Sequence, residues 1–551
     1  MYRVLILLFC CAGISSRAAT NGTAATVHPL ATDAAIRAMQ QGGNAIDGAV
    51  AAALTLGVVD GHNSGIGGGC FMLIRQADGA VVAIDGRETA PAKATRNMFV
   101  RDGKADPLLS QTGPLAAATP GALAAYDYAI RHFGKLSLSN HLSSAARISR
   151  EGFALDRTYA GRLKGTANEI RQYEGTRAVF LKADGSLFTA GEVLKQPDLA
   201  SSYESIARSG IDWFYRGPFA ASVSSWMEGN GGLLRKIDFE KYQPKGRDPI
   251  RTTYRGFDVI GFPPPSSGGV HVAQILNILE QFDLREMGLN TANYVHVIIE
   301  AMKLAFADRA YWLGDPDFAA VPRELVSRTY AKKLARKIRM DHVVNVDAHD
   351  TPDRADTDVF GRHTTHFSVA DRYGNWVACT ATINTSFGSK VMVPGTGIVL
   401  NNQMDDFSSQ PGVANYFGLV GSDANAVAPG KRPLSSMSPT IILKDGHPLF
   451  SVGAAGGPTI ISQTVLAIVA AIDFGMSPSD ALAQPRFHHQ WKPDELRVEN
   501  RMPSTVRDEL TRRGHKVRVS DNIGAAQAIA WSTNQFVAAA DPRGEGKAAS
   551  W

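Results

Sequence analysis

The chain has 551 residues, of which 44% are apolar and 20% charged, with a formal net charge of +5. That apolar content is enough to bury a large core and excludes a disordered chain. The small, scattered excess of positive charge excludes an extended nucleic-acid groove and a basic membrane-binding face, which leaves small-molecule chemistry as the default.

Residues 1–18 carry Arg3, then an apolar run from Val4 to Ile14, then small residues, the three parts of a secretory signal. This predicts an exported protein, periplasmic or secreted, whose mature chain starts near Ala19. The apolar run is too short to span a bilayer, and no later stretch is long and apolar enough. Beyond it only Cys70 and Cys379 remain, too few for a disulfide framework and read as buried thiols. Residues 32–41 and 45–56 have helical periodicity, with Gly42 and Gly43 between them. Gly65, Gly67, Gly68 and Gly69 then precede a buried strand. Their spacing matches no phosphate-binding loop, so they predict close packing against a neighbouring backbone. Arg87 follows the next strand, either as a structural cation or as the anchor for a carboxylate.

Residues 123–133 read as a helix, and much of the chain to about residue 235 as helices with polar faces. Residues 257–271 form a strand, a triple proline and a Ser-Ser-Gly-Gly turn, rigid and then abruptly permissive. Residues 294–312 form the clearest helix, with Val295, Ile298, Ile299, Met302, Ala305 and Phe306 on one stripe. His296 and Glu300 on that helix lack the second histidine of a zinc site and read as a surface pair. From Asp341 the composition turns acidic and polar, predicting a linker that delivers the chain to Thr364.

Two β-rich runs, HFSVA and WVACTATI, flank turn residues 371–375 and predict an antiparallel hairpin. Pairing symmetric about Tyr373 sets Thr364 across from Thr382 on one face, with Asn384 just beyond. A threonine hydroxyl is a weak nucleophile unless its own α-amine acts as base, which requires that it begin a chain. Thr364 is therefore a candidate nucleophile if the His363–Thr364 bond is first cut, by attack of the Thr364 hydroxyl on the His363 carbonyl. Further on, Gln403, Asp405 and Asp406 follow a strand. With no third ligand nearby, an ammonium group suits this acidic pair better than a metal. The Gly/Pro/Asn-rich loop to Pro433 reads as a lid. Ser435 and Ser436 present paired hydroxyls, which beside Arg87 would clamp a carboxylate. Gly456 and Gly457, before a helix, form either a packing turn or a pair of N–H donors for an oxyanion. His488 and His489 face opposite ways on a strand and read as structural. The closing hairpin predicts added edge strands.

Taken in order, NSGIGGG, GRETAPAKAT, PPPSSGG, TTHFSV, TINTSFGS, LNNQMDDFS, KRPLSSMSPT, AAGGPTII and PRFHHQW resemble the γ-glutamyltransferase family of N-terminal-nucleophile hydrolases across nearly the whole mature chain. The resemblance implies an α+β fold, a four-layer αββα sandwich. It also implies a precursor that cuts itself into a large subunit, residues 19–363, and a small one, residues 364–551, held together as one interlaced domain. By motif, Thr364 is the nucleophile, and Thr382 and Asn384 assist it and the substrate amine. Gln403 and Asp406 hold the α-ammonium, while Arg87, Ser435 and Ser436 hold the α-carboxylate. The N–H groups of Gly456 and Gly457 stabilise the oxyanion. The implied donors are glutathione and other γ-glutamyl compounds, the acceptors water, an amino acid or a dipeptide, and no metal or organic cofactor takes part. In the lid, Phe417 stands where many bacterial relatives have tyrosine, with Tyr416 one residue away, which implies a looser lid. Two alternatives remain: a glutaryl or cephalosporin acylase of the same fold, and an uncleaved, non-catalytic binder of γ-glutamyl peptides.

Overall fold

Turn chemistry at Asp371 sets the register of the central hairpin. In the computed structural model, which describes residues 19–346 and 364–551, strands Thr365–Asp371 and Trp376–Thr382 pair antiparallel. Thr365 lies opposite Ala381 and His366 opposite Thr380, so the pairing is symmetric about Tyr373 as the sequence predicts. The Asp371 carboxylate accepts the N–H groups of Tyr373 at 2.9 Å and Asn375 at 3.1 Å, while Gly374 takes the left-handed conformation, φ 93°, that closes the loop.

This hairpin lies inside an antiparallel sheet, not at its edge. Among the described residues the strand order is Lys547–Ser550, Gly22–Thr26, Thr365–Asp371, Trp376–Thr382, Gly69–Arg75, Val81–Gly86 and Lys245–Arg247. A second sheet runs Gln535–Ala540, Ala525–Ser532, His447–Ala455, Thr440–Lys444, Phe257–Gly261 and Ile250–Tyr254. Of the closing hairpin, only Gln535–Ala540 is an edge strand; Ala525–Ser532 is paired on both sides. Both sheets mix strands from before and after residue 363.

The two-residue period of a strand divides the hairpin between two environments. Phe367, Val369, Val377 and Cys379 join a core with helices Pro29–Gln40 and Ala45–Val59. Ala370, Trp376 and Ala378 join another with the second sheet and helices Gly268–Leu279, Ala292–Trp312 and Thr459–Phe474. The result is helices, sheet, sheet, helices, the αββα order implied by the motifs. Between the sheets runs a polar seam: His366 Nδ1 lies 2.9 Å from Thr380 Oγ1, and Ser368 Oγ lies 3.0 Å from Ser451 Oγ of the facing sheet. Burial pulls the His366 ring down to about 3, so it is neutral there.

One expectation fails on helix Ala292–Trp312. It is buried on nearly all sides and His296 and Glu300 are not at the surface. His296 Nδ1 lies 2.8 Å from His515 Nε2, and Glu300 accepts the N–H of Val344 at 2.8 Å while pairing with Lys303 at 3.1 Å. Segments distant in sequence fold back over the face that periodicity assigns to solvent. The cysteine expectation holds: Cys70 and Cys379 are free and buried. His488 and His489 bond separately, to Ser462 and Asp494. Among the described residues no helix is long and apolar enough to cross a membrane.

The glycine run packs backbone to backbone. A Cβ on Gly67 would lie 2.0 Å from the carbonyl oxygen of Val399, and one on Gly68 2.0 Å from that of Thr382. Gly68→Ala must push away the residue opposite Thr364, so it should destabilise the fold by about 1–3 kcal/mol. Denaturant unfolding measures this, and an unchanged midpoint would refute the packing role.

Candidate active site

Thr364 stands just ahead of strand Thr365–Asp371, on the face that looks toward the second sheet. It is buried, and its Oγ1 lies 3.4 Å from Thr382 Oγ1. Thr382 Oγ1 also accepts the N–H of Asn384 at 2.8 Å. Asn384 reaches this position through a left-handed backbone, φ 79°, which also lets its carboxamide donate to the Asn402 carbonyl at 3.0 Å. Two hydroxyls and a carboxamide therefore meet at one strand end, as the hairpin register requires.

Arg87, at the end of strand Val81–Gly86, is fully buried. Its Nε donates to the Pro433 carbonyl at 3.0 Å, which anchors it beside Ser435 and Ser436, and its Nη2 donates to the Asp406 carboxylate. The neighbouring Glu88 is pushed up to about 8 by burial, so Asp406 is the charge partner. Gln403 Nε2 donates to Asp406 Oδ2 at 3.2 Å, while Gln403 Oε1 is buried with no hydrogen-bond partner among the described residues. Burial holds the Asp406 carboxyl above the usual range against the pull of Arg87.

Arg87, Gln403, Asp406, Ser435 and Ser436 line one small cavity with Thr364, Thr382 and Asn384. Gly457 also lines it, at the mouth of helix Thr459–Phe474, with Gly456 one residue behind; their φ values are 56° and 135°. Asp405 takes no part in the acidic pair. It faces away, accepting from Ser110 Oγ at 2.6 Å and from the Tyr416 N–H at 3.0 Å, so it anchors the lid. Phe417 packs on Gly457, where a Cβ would lie 2.6 Å from its ring, and its carbonyl accepts from Gln490 Nε2 at 3.0 Å. His363 and residues 1–18 lie outside the described residues. Among the described residues no group of three or more His, Cys, Asp or Glu side chains is arranged to hold a metal.

Sequence reasoning missed Arg309, a second buried arginine lining this cavity. It continues the stripe of Met302, Ala305 and Phe306 at helical spacing, and a charge on a buried stripe is the signal that marks it. It also missed Asp60 and His62, which with Asn63 line a second cavity against Thr364. Asp60 Oδ1 accepts from Asn63 Nδ2 at 2.8 Å, and burial pushes its carboxyl up to about 8.

An inner-facing threonine at the head of a central strand of an αββα sandwich, with a polar cavity before it, defines the N-terminal-nucleophile hydrolase class. The chain superimposes on the solved cephalosporin acylase of Bacillus halodurans with TM-score 0.87 and 29% identity, covering 100% of this chain and 99% of that one. It matches the gamma-glutamyltranspeptidase of Helicobacter pylori with TM-score 0.57 and 38% identity, over 57% of this chain and 91% of that chain. The gamma-glutamyltranspeptidase family model matches residues 31–551. The glutathione hydrolase proenzyme of Escherichia coli K12 is 43% identical over 529 residues, 95% of this chain and 91% of the relative. The chain belongs to the gamma-glutamyltranspeptidase family and is an enzyme of that class.

Asp60 carries a stability signature. Unfolded, its carboxyl ionises near the ordinary carboxylate value, whereas the folded one keeps its proton to about 8. Between those values the unfolded state binds fewer protons, so this group's contribution falls as pH rises. Relative to Asp60→Asn, in a Thr364→Ala background, the Asp60 protein should lose melting temperature from about pH 5 to about pH 8. A constant difference between the two across that range would contradict it.

Proposed function

We propose that the chain is a precursor that cuts itself between His363 and Thr364 and then transfers γ-glutamyl groups through Thr364. The observation that carries this reading is Thr364 Oγ1 at 3.4 Å from Thr382 Oγ1, facing a cavity that holds a buried arginine and a carboxylate. The pieces would be residues 19–363 and 364–551. Since both sheets draw strands from each, strand pairing and the shared cores would hold them together as one domain. Residues 1–18 would be the signal that exports the protein to the periplasm or beyond.

In this reading the α-carboxylate of the donor binds Arg87, Ser435 and Ser436, and its α-ammonium binds Asp406, Asn384 and the unpartnered Gln403 Oε1. The Arg87–Asp406 pair suits a zwitterion, because each charge of the donor finds its complement and no lone ion is buried. Thr364 Oγ attacks the γ-carbonyl while the Thr364 α-amine takes the hydroxyl proton and returns it to the leaving amine. The N–H groups of Gly456 and Gly457 receive the developing oxyanion, and a γ-glutamyl ester on Thr364 remains. Water then releases glutamate, or an amino acid or dipeptide takes the group. Glutathione is the natural donor under this reading, as the name of the Escherichia coli relative also suggests.

The acylase reading has the Bacillus halodurans structure in its favour. A glutaryl donor has no α-ammonium, however, and would leave Asp406 and Gln403 facing nothing. Release from γ-glutamyl-p-nitroanilide should therefore exceed release from its glutaryl analogue, and the reverse order would overturn the assignment. Asp406→Asn should cut γ-glutamyl turnover at low substrate by roughly 100-fold and narrow the gap between the two donors. Thr364→Ala should run as one undivided chain on a denaturing gel and release nothing, whereas the natural chain should yield a fragment beginning TTHFSV. An undivided natural chain would favour the non-catalytic binder. Phe417→Tyr should shift the balance of hydrolysis and transfer by restoring a lid hydroxyl, and an unchanged balance would reject the looser lid.

A further inference from the structure

The proline–serine–glycine turn at residues 263–269 has no part in the chemistry above, yet it docks directly onto the loop that carries Ser435 and Ser436. Ser266 Oγ donates to the Met437 carbonyl at 2.5 Å. The Ser435 carbonyl accepts both the N–H of Ser267, at 2.8 Å, and its hydroxyl, at 2.7 Å. A Cβ on Gly268 would lie 2.3 Å from the Met437 carbonyl, so only glycine permits the approach. Arg309, from helix Ala292–Trp312, ties the two together through side chains. Its Nε donates to Ser267 Oγ at 2.9 Å and its Nη2 to Ser436 Oγ at 3.1 Å. It is 5% exposed and has no carboxylate within salt-bridge distance among the described residues.

Hydrogen accounting gives these contacts a direction. A hydroxyl offers one proton and two lone pairs, and a guanidinium offers protons only. Ser436 Oγ must accept from Arg309, so its own proton points elsewhere. Ser435 Oγ likewise accepts the N–H of Met437 at 3.1 Å. Each serine hydroxyl therefore keeps its proton free to donate, and both line the cavity beside Arg87. A group with two acceptor oxygens and a negative charge, a carboxylate, is what two aligned hydroxyl donors and a guanidinium recognise.

We propose that Arg309 is a positioning residue that holds Ser436 as a hydrogen-bond donor to the α-carboxylate of the donor substrate. It acts through Ser436 and not on the reacting carbonyl. The inference rests on the γ-glutamyl reading. It also makes the 263–269 turn a platform, contributed from before the proposed cut, that orients two serines contributed from after it.

The test uses the full-length chain, allowed to cut itself, with Arg309→Met, Arg309→Lys and Ser436→Ala. On γ-glutamyl-p-nitroanilide, Arg309→Met should raise KM by roughly 10- to 100-fold and lower kcat much less. On γ-aminobutyryl-p-nitroanilide, which lacks the α-carboxylate, the same change should leave KM within about 2-fold. Arg309→Lys should recover part of the loss, and Arg309→Met added to Ser436→Ala should cost little more than Ser436→Ala alone. Equal losses on both donors, losses confined to kcat, or full additivity with Ser436→Ala would each overturn the proposal. Should Arg309→Met fail to fold, Arg309→Gln, which keeps a donor without the charge, carries the same comparison. If the unaltered enzyme itself fails to distinguish the two donors, the γ-glutamyl reading falls, and that outcome is separate from failure at Arg309.

Discussion

Slipping the central hairpin by one residue would turn Thr364, His366 and Ser368 outward and bring Phe367 and Val369 into the seam between the sheets. The molecule has no intermediate option, and much of its design fixes this register. Asp371 gathers two turn N–H groups. Gly68 lies so close to the Thr382 carbonyl that the end of the second strand has one place to go. The seam itself is specific, because a neutral His366 bonds Thr380 and Ser368 bonds Ser451. Displaced polar groups would lose these partners inside a region with little water. Thr364 is consequently held to its position by interactions well away from the cavity.

The cavity depends on a different balance. Arg87 and Asp406 come from opposite sides of residue 363; Arg87 is fully buried and Asp406 largely so, and a buried charge is tolerable only with a partner. Glu88 escapes the same demand because burial keeps it protonated well past the usual carboxylate range. Arg309 is the second buried cation, and two serine hydroxyls rather than a carboxylate meet it. The cavity is thus weighted positive on the side of Ser435 and Ser436, and the carboxyl that lines it among the described residues is Asp406, the partner of Arg87. This asymmetry favours a ligand whose own charges are separated in the same sense.

The hairpin was legible from sequence because its loop is short and its turn residues leave one symmetric register. The glycine run was legible because its spacing fits no phosphate loop. Pairing Asp405 with Asp406 was the natural reading of adjacent carboxylates, but one turn of tight helix, Gln403–Asp406, sends them to different partners. His296 and Glu300 share one cause of misreading. A helix looks half-exposed when judged by its own periodicity, and only the return of residues 339–346 and of helix Ser504–Arg512 covers its second face. Such burial arises from contacts 44 and 219 residues apart in sequence, which no local pattern records. The position of Arg87 after a strand was legible in the sequence, while its place in the cavity and its bond to Asp406 depend on the same long-range closure.

The alternation of strands from both sides of residue 363 has a consequence for how the protein comes into being and how it ends. Before the proposed cut, folding is a unimolecular event whose yield does not depend on concentration. After it, unfolding would release two partners, each carrying unpaired strand edges from two sheets. Reassembly would then be bimolecular, in competition with aggregation, and at low concentration seldom completed. The cut would make the native state a place the chain reaches once, so the lifetime of the enzyme would be set by the rate of its first unfolding and not by an equilibrium.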